Sequence, residues 1–169
     1  MSPIESIASK YKRIIDLVSQ AFQLARKAGI KNLLQPGLVK EMIIADILGH
    51  VLITSKRDAD AHASGNPEEK YEYLSCIEGG SGQLDRMFKN PSDKREESLC
   101  RIKRNKAIFF AVFDKKNQIR VLRIYKIEVE NLLKETIRQL DASKNDISHV
   151  GFSEAWVINN GELLFFCEN

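Results

Sequence analysis

Asp60 and Glu72 are separated by 11 residues, and the intervening segment contains the turn signal Ser64-Gly65-Asn66-Pro67. An Asp on one extended segment and a Glu on its partner can bring two carboxylates to one point across a hairpin. Carboxylate oxygens converging in this way make a hard-cation site. They suit Mg²⁺, which keeps several waters and shares its coordination sphere with substrate phosphates. A cation held there can position and activate water and offset the charge that develops on a phosphodiester. Glu41, on a preceding helical segment, could add a third carboxylate, and Asp58 could serve in place of Asp60. The plainer alternatives are a surface hairpin with solvated acids and, for Glu41, an ordinary helix-surface acid.

Charge is distributed unevenly around this pair. The formal net charge is +3, yet residues 86–126 carry 13 basic groups against four acids, while the flanking segments are weakly or clearly acidic. A basic block of this kind is what tracking a phosphate backbone requires, although a solvated lysine-rich loop has the same composition. Within or beside it, Arg101, Lys103, Arg104 and Lys106 suit phosphates. Ser81, Gln83 and Arg86 lie just after the second acid, where a loop could offer Gln to adenine edges and Arg to guanine edges. His50, His62 and His149 show no ligand spacing; His62 is a candidate proton carrier or a surface histidine. Cys76, Cys100 and Cys167 are odd in number and far apart, without zinc spacing, which suggests reduced thiols in an intracellular, cytoplasmic protein. No window approaches 18 consecutive apolar residues, and residues 1–12 lack a secretory apolar stretch, so no membrane association is expected.

The elements that must position these groups follow from periodicity. Ser2-Pro3-Ile4-Glu5 has the form of a capping box, and an apolar stripe from Ile4 to Ala25 at helical spacing predicts a first helix, stopped at Gly29, whose apolar face is core or dimer packing. A second helix reads Leu38 to Leu48, ending at Gly49. Short strands are predicted at Val51–Thr54, Arg57–Ala63 and Lys70–Cys76, with a loop at Gly79-Gly80-Ser81-Gly82 and a partly helical basic stretch over 86–106. Ala107–Phe113 reads as a buried central strand partnered by Gln118–Tyr125, and Val129 to Leu140 as a third long helix. Asn159-Asn160-Gly161 predicts a closing hairpin between Ala155–Ile158 and Glu162–Cys167, with Trp156 in the core. The fold class expected is α/β, a mixed β-sheet flanked by α-helices in a single domain. Its parts would be an N-terminal helical part (1–37), a core (38–126), and a C-terminal helix and hairpin (127–169).

In this order, Asp60 and Glu72 resemble the acidic pair of the PD-(D/E)XK nuclease superfamily, type II restriction endonucleases in particular. The resemblance includes the helix Lys40-Glu41 to Leu48-Gly49, the segment Asp58-Ala59-Asp60-Ala61, the strand Tyr71-Glu72-Tyr73, the Ile108–Phe113 and Ile119–Tyr125 strands, and Phe152-Ser153-Glu154-Ala155-Trp156-Val157. These cover residues 38–158. The family's Asp-Ala pairing favours Asp60 over Asp58 as ligand, and its habit of placing an acid on the preceding helix is the favourable sign for Glu41. The resemblance implies a restriction endonuclease-like sheet and Mg²⁺-dependent, sequence-specific hydrolysis of double-stranded DNA. Asp60 and Glu72 would then be catalytic and metal-binding. A homodimer and a separate protective DNA methyltransferase are also implied. The family places Lys two residues after the second acid, and here that position is Leu74. Lys70 shares the strand face of Glu72 but on its other side, and Lys40, Lys56 and Lys70 are candidates for a migrated lysine. Loss of the lysine also fits a relative that binds DNA without cutting it, and a nuclease for branched or damaged DNA is a third reading.

Overall fold

A computed structural model describes residues 7–55 and 58–167. The expected capping box at Ser2-Pro3-Ile4-Glu5, together with Lys56 and Arg57, lies outside the described residues. The chain divides into two units, residues 1–39 and 40–169. In the first, helix α1 (Ile7–Lys27) carries Arg26 and Lys27 in its last turn, where they complement the carbonyl end of the helix. It closes at Gly29, whose φ of +81° favours glycine. Helix α2 (Leu38–Leu48) crosses the boundary between the units. It ends at Gly49 (φ +68°), where the His50 amide donates to the Ala45 carbonyl.

The second unit is a mixed α/β structure. Its strands are β1 (Val51–Leu52), β2 (Ala61–Ala63), β3 (Asn66–Ile77), β4 (Ser81–Phe88), β5 (Ala107–Phe113), β6 (Val121–Ile127), β7 (Ile147–Ser153) and β8 (Gly161–Phe166). Its helices beyond α2 are α3 (Ser92–Lys103), α4 (Val129–Ala142) and α5 (Glu154–Asn160). Six strands form one sheet in the order β1-β2-β3-β5-β6-β8, while β4 and β7 form a separate antiparallel pair. All pairs in the large sheet are antiparallel except β3–β5. That parallel pair requires a crossover, and β4 and α3 supply it. Among the described residues, no helix is long and apolar enough to cross a membrane.

The β5 strand is buried along its whole length, as its unbroken apolar run requires of a central strand. Alternation along β3 separates two cores. Leu74 and Cys76 pack with Phe110, Leu84, Ile102 and Leu132 on one face. Tyr71 and Tyr73 pack with Phe109 and Ile44 of α2 on the other.

Two expectations are corrected. The segment Gly79-Gly80-Ser81-Gly82 is a loop only at its start, since β4 begins at Ser81. Gly82, Leu84 and Met87 point inward, and a Cβ on Gly82 would lie 2.7 Å from the Phe110 ring, so this glycine is there for close packing. The closing hairpin is instead helix α5 running into β8. The Ser153 hydroxyl accepts from the Trp156 amide at 3.3 Å and starts the helix, which lays Val157 into the core and Trp156 against Phe152. Asn159 and Asn160 donate their side-chain amides back to the carbonyls of Ala155 and Trp156, so they close a helix where a two-residue turn is predicted. Ser153→Ala removes this cap and is expected to cost about 1 kcal/mol, read as a lower midpoint in urea unfolding.

Candidate active site

Asp60 directly precedes β2, one step beyond the Ala61↔Tyr71 pair, and Glu72 directly follows Tyr71 on β3. Two backbone contacts fix Asp60: its amide donates to the Tyr71 carbonyl at 3.0 Å, and its Oδ2 accepts from the Tyr73 amide at 2.7 Å. Glu72 stands on the Leu74 face of β3 and is paired across to Ile108 of the parallel strand. Both acids line a cleft of about 760 Å³, whose other walls are Asp58 and one face of α3 with its C-cap: Glu97, Cys100, Arg101 and Arg104. The spacing 97, 100/101, 104 is one stripe of a helix, so α3 presents two guanidinium groups toward the strand acids.

The electrostatics of this cleft are those of crowded carboxylates. Burial, followed by repulsion from Asp60, pushes Glu72 up to about 8, against opposing attraction from Arg104 and Arg101. Burial pushes Asp60 up to about 6, although the Tyr73 amide and the same two arginines favour its charged form. Glu41 on α2 is raised to about 7, first by burial and then by Asp60. Glu72 Oε2 is buried without a hydrogen bond. Its ion-pair partner, Arg104 Nη2, is 3.6 Å away, too far for a hydrogen bond. A divalent cation would supply the direct contact that Glu72 Oε2 lacks, and two carboxylates with waters and a substrate phosphate are a sufficient Mg²⁺ set. Asp60 and Glu72 therefore fit the metal implied by the resemblance. Among the described residues, no three His, Cys, Asp or Glu side chains are grouped closely enough to hold a metal, so Glu41 does not complete a compact third ligand.

Lys70 donates to both Asp58 oxygens at 2.8 Å, and this pairing holds the Asp58 carboxyl below its ordinary range. Asp58 and Lys70 thus engage each other, leaving Asp60 as the acid beside Glu72. The Lys40 ammonium lies 4.9 Å from the centroid of the Phe113 ring. Leu74, at the position where the resemblance expects a lysine, is 3% exposed and packed in the core. Ser81 and Gln83 lie on the exposed side of β4, and Arg86, with φ +52°, sits at the irregularity between Leu84 and Met87. Arg101 joins that region to the cleft by donating to the Asp85 carbonyl at 3.2 Å. Lys103, on another side of α3, pairs with Glu96. His62 Nδ1 contacts the Ala63 carbonyl, and His149 pairs with Asp85 on the outer side of β4 and β7. His50 is stacked on Tyr71 and contacts the Tyr73 hydroxyl, and burial lowers its pKa.

Sequence reasoning missed Glu97 and Cys100 as cleft residues and did not separate Arg101 and Arg104 from Lys103. The helical stripe through the basic stretch is the signal that would have done both. Compared with known protein families and with curated proteins, the chain finds no match.

Proposed function

We propose that residues 40–169 form a restriction endonuclease-like core that hydrolyses phosphodiester bonds of duplex DNA with Mg²⁺. The observation that carries this reading is the buried Asp60–Glu72 pair facing Arg101 and Arg104 across an open cleft. Carboxylates alone would repel a polyanion. Here the same cleft offers a cation site on one wall and phosphate-binding groups on the other, which is the arrangement phosphodiester chemistry needs.

Asp60 and Glu72 would hold the Mg²⁺, which when bound lowers the pKa of water and offsets charge on phosphorus. The Tyr73 amide keeps the Asp60 carboxylate in place. Arg101 and Arg104 draw phosphate oxygens into the cleft, and the exposed side chains of β4 stand beside Arg101, where base edges could be met. In hydrolysis, water oxygen bonds to phosphorus, the bond to the leaving sugar oxygen breaks, and the proton lost by water is matched by one gained by the leaving alcohol. A homodimer would place two such centres on the two strands of a symmetric site, as the resemblance implies.

Digestion of a long unmethylated DNA is the test. Discrete fragments are expected from wild type with Mg²⁺, and none with chelator, Asp60→Ala or Glu72→Ala. A second reading, a DNA-binding relative without catalysis, is favoured by the burial of Leu74 at the motif's lysine position. Intact DNA in every lane, with salt-sensitive binding retained in Asp60→Ala, would establish that reading instead.

A further inference from the structure

Arg104, expected from the sequence to meet the phosphate backbone, also faces the acid pair. It is the C-cap of α3, with αR backbone angles, and its guanidinium stands 3.6 Å from Glu72 Oε2. Both side chains are mostly covered, at 28% and 16% exposure, so their attraction is less screened than that of a surface pair. At this separation Nη2 makes a long ion pair with Oε2, and the attraction favours the charged form of Glu72. Arg104 also borders a second hollow with Asn66, Glu68, Glu69 and Lys106, which places its guanidinium between two polar spaces. Lys70 is engaged with Asp58, Lys40 lies over Phe113, and Leu74 is core.

Resting on the nuclease reading, we propose that Arg104 is the countercharge of Glu72 before a divalent cation is bound, and that it then yields Glu72 to hold a non-bridging oxygen of the phosphodiester, in place of the motif lysine. A guanidinium suits this exchange. It carries its charge at any working pH, has a planar fork matched to either a carboxylate or a phosphate, and is weakly hydrated. It cannot take a proton from water, so its contribution is to hold the phosphate and stabilise the charge developing there.

The exchange makes a prediction that a merely structural arginine does not. Arg104 competes with the cation for Glu72, so Arg104→Ala should bind Mn²⁺ about tenfold more tightly in DNA-free protein, by isothermal titration. Arg104→Lys should stay near wild type. Arg95→Ala, which removes a positive charge that pairs with Asp141, controls for net charge and should bind Mn²⁺ as wild type does. In single-turnover cleavage, Arg104→Ala should lose about 100-fold in rate with duplex affinity changed only about threefold, and Arg104→Lys should recover part of the rate. Unchanged or weaker Mn²⁺ binding by Arg104→Ala overturns the assignment, as does cleavage at the wild-type rate. If wild type cuts no DNA, the nuclease reading falls, yet tighter Mn²⁺ binding by Arg104→Ala would still uphold Arg104 as the countercharge. If wild type cuts and Arg104→Ala matches it in both measurements, the nuclease reading stands and Arg104 has no part in it. Circular dichroism of each variant separates these outcomes from unfolding.

Discussion

At pH 9, Glu72→Gln is expected to melt about 4–8 °C above the wild-type protein in the absence of metal, while losing the response of wild type to Mg²⁺. Burial and the neighbouring Asp60 raise the Glu72 pKa from its ordinary value of 4.5 to about 8 in the folded protein. A carboxyl with a raised folded pKa holds its proton longer in the native state than in the unfolded chain. Its contribution to stability is therefore complete below about pH 4.5 and is lost as pH rises toward 8, beyond which the native carboxylate is charged and costly. Gln removes that charge, so the variant's advantage is absent at pH 4, grows through the interval and levels off by pH 9. The shift corresponds to a few kcal/mol, on the order of 2 kcal/mol after allowing for the hydrogen bonds a buried amide requires. Mg²⁺ works in the opposite sense: it binds the ionised pair and stabilises wild type by about 2.7 kcal/mol at a hundredfold excess over Kd. Melting curves at pH 4, 6.5 and 9, with and without Mg²⁺, measure both effects. A Glu72→Gln protein that melts below wild type at pH 9 would show that Arg104 and Arg101 offset the Glu72 charge in full without metal, and burial would then leave no charge deficit for a cation to fill. Gained stability and lost cation binding in one variant would mean that the fold keeps an unfavourable acid pair for the sake of a ligand.

What was legible in the sequence follows from where the signal is local. The strand Ala107–Phe113 was read at its true limits because both of its faces are buried and no polar residue interrupts it. The third long helix was legible because one apolar stripe, with Leu132 and Leu140 at its centre, meets the sheet core. The Asp60–Glu72 pair was visible because a hairpin fixes which residues meet across it. The β4–β7 ribbon was not legible. Gly82 suggests a loop, whereas the structure needs it beneath Phe110, and β7 lies 64 residues beyond its partner if counted from Asp85 to His149. Helix α5 was hidden because Asn-Asn-Gly carries a turn signal of equal strength, and Ser153 and the core contacts of Val157 decide between them. The arginine wall of the cleft depends on how α3 crosses between β3 and β5, a long-range consequence of the parallel pair. Spacing could separate Arg104 from Lys103 only once the helix was fixed.

Placing at position 74 the lysine that the resemblance expects there is expected to damage the fold without adding activity. Leu74 is 3% exposed, and its Cβ lies 3.2 Å from where a Cβ on Gly82 would stand, with Phe110 adjoining both. Leu74→Lys removes apolar packing from this point and asks the core to accept an ammonium, or to release it toward Glu72 along the same face of β3. The Glu72 carboxylate offers a partner, which limits the cost, but the route passes through a packed layer, and Arg104 already faces that acid. A destabilisation of about 2–4 kcal/mol is expected, measured as a lower denaturant midpoint at unchanged slope. Leu74→Met, which keeps volume and apolarity, should cost less than about 1.5 kcal/mol and serves as the packing control. Cleavage should not rise in Leu74→Lys, because the nuclease reading gives the phosphate-holding charge to α3. A stable Leu74→Lys protein that cuts faster than wild type would reverse this. It would show that a lysine at position 74 reaches the cleft past Glu72, and that its absence limits the rate.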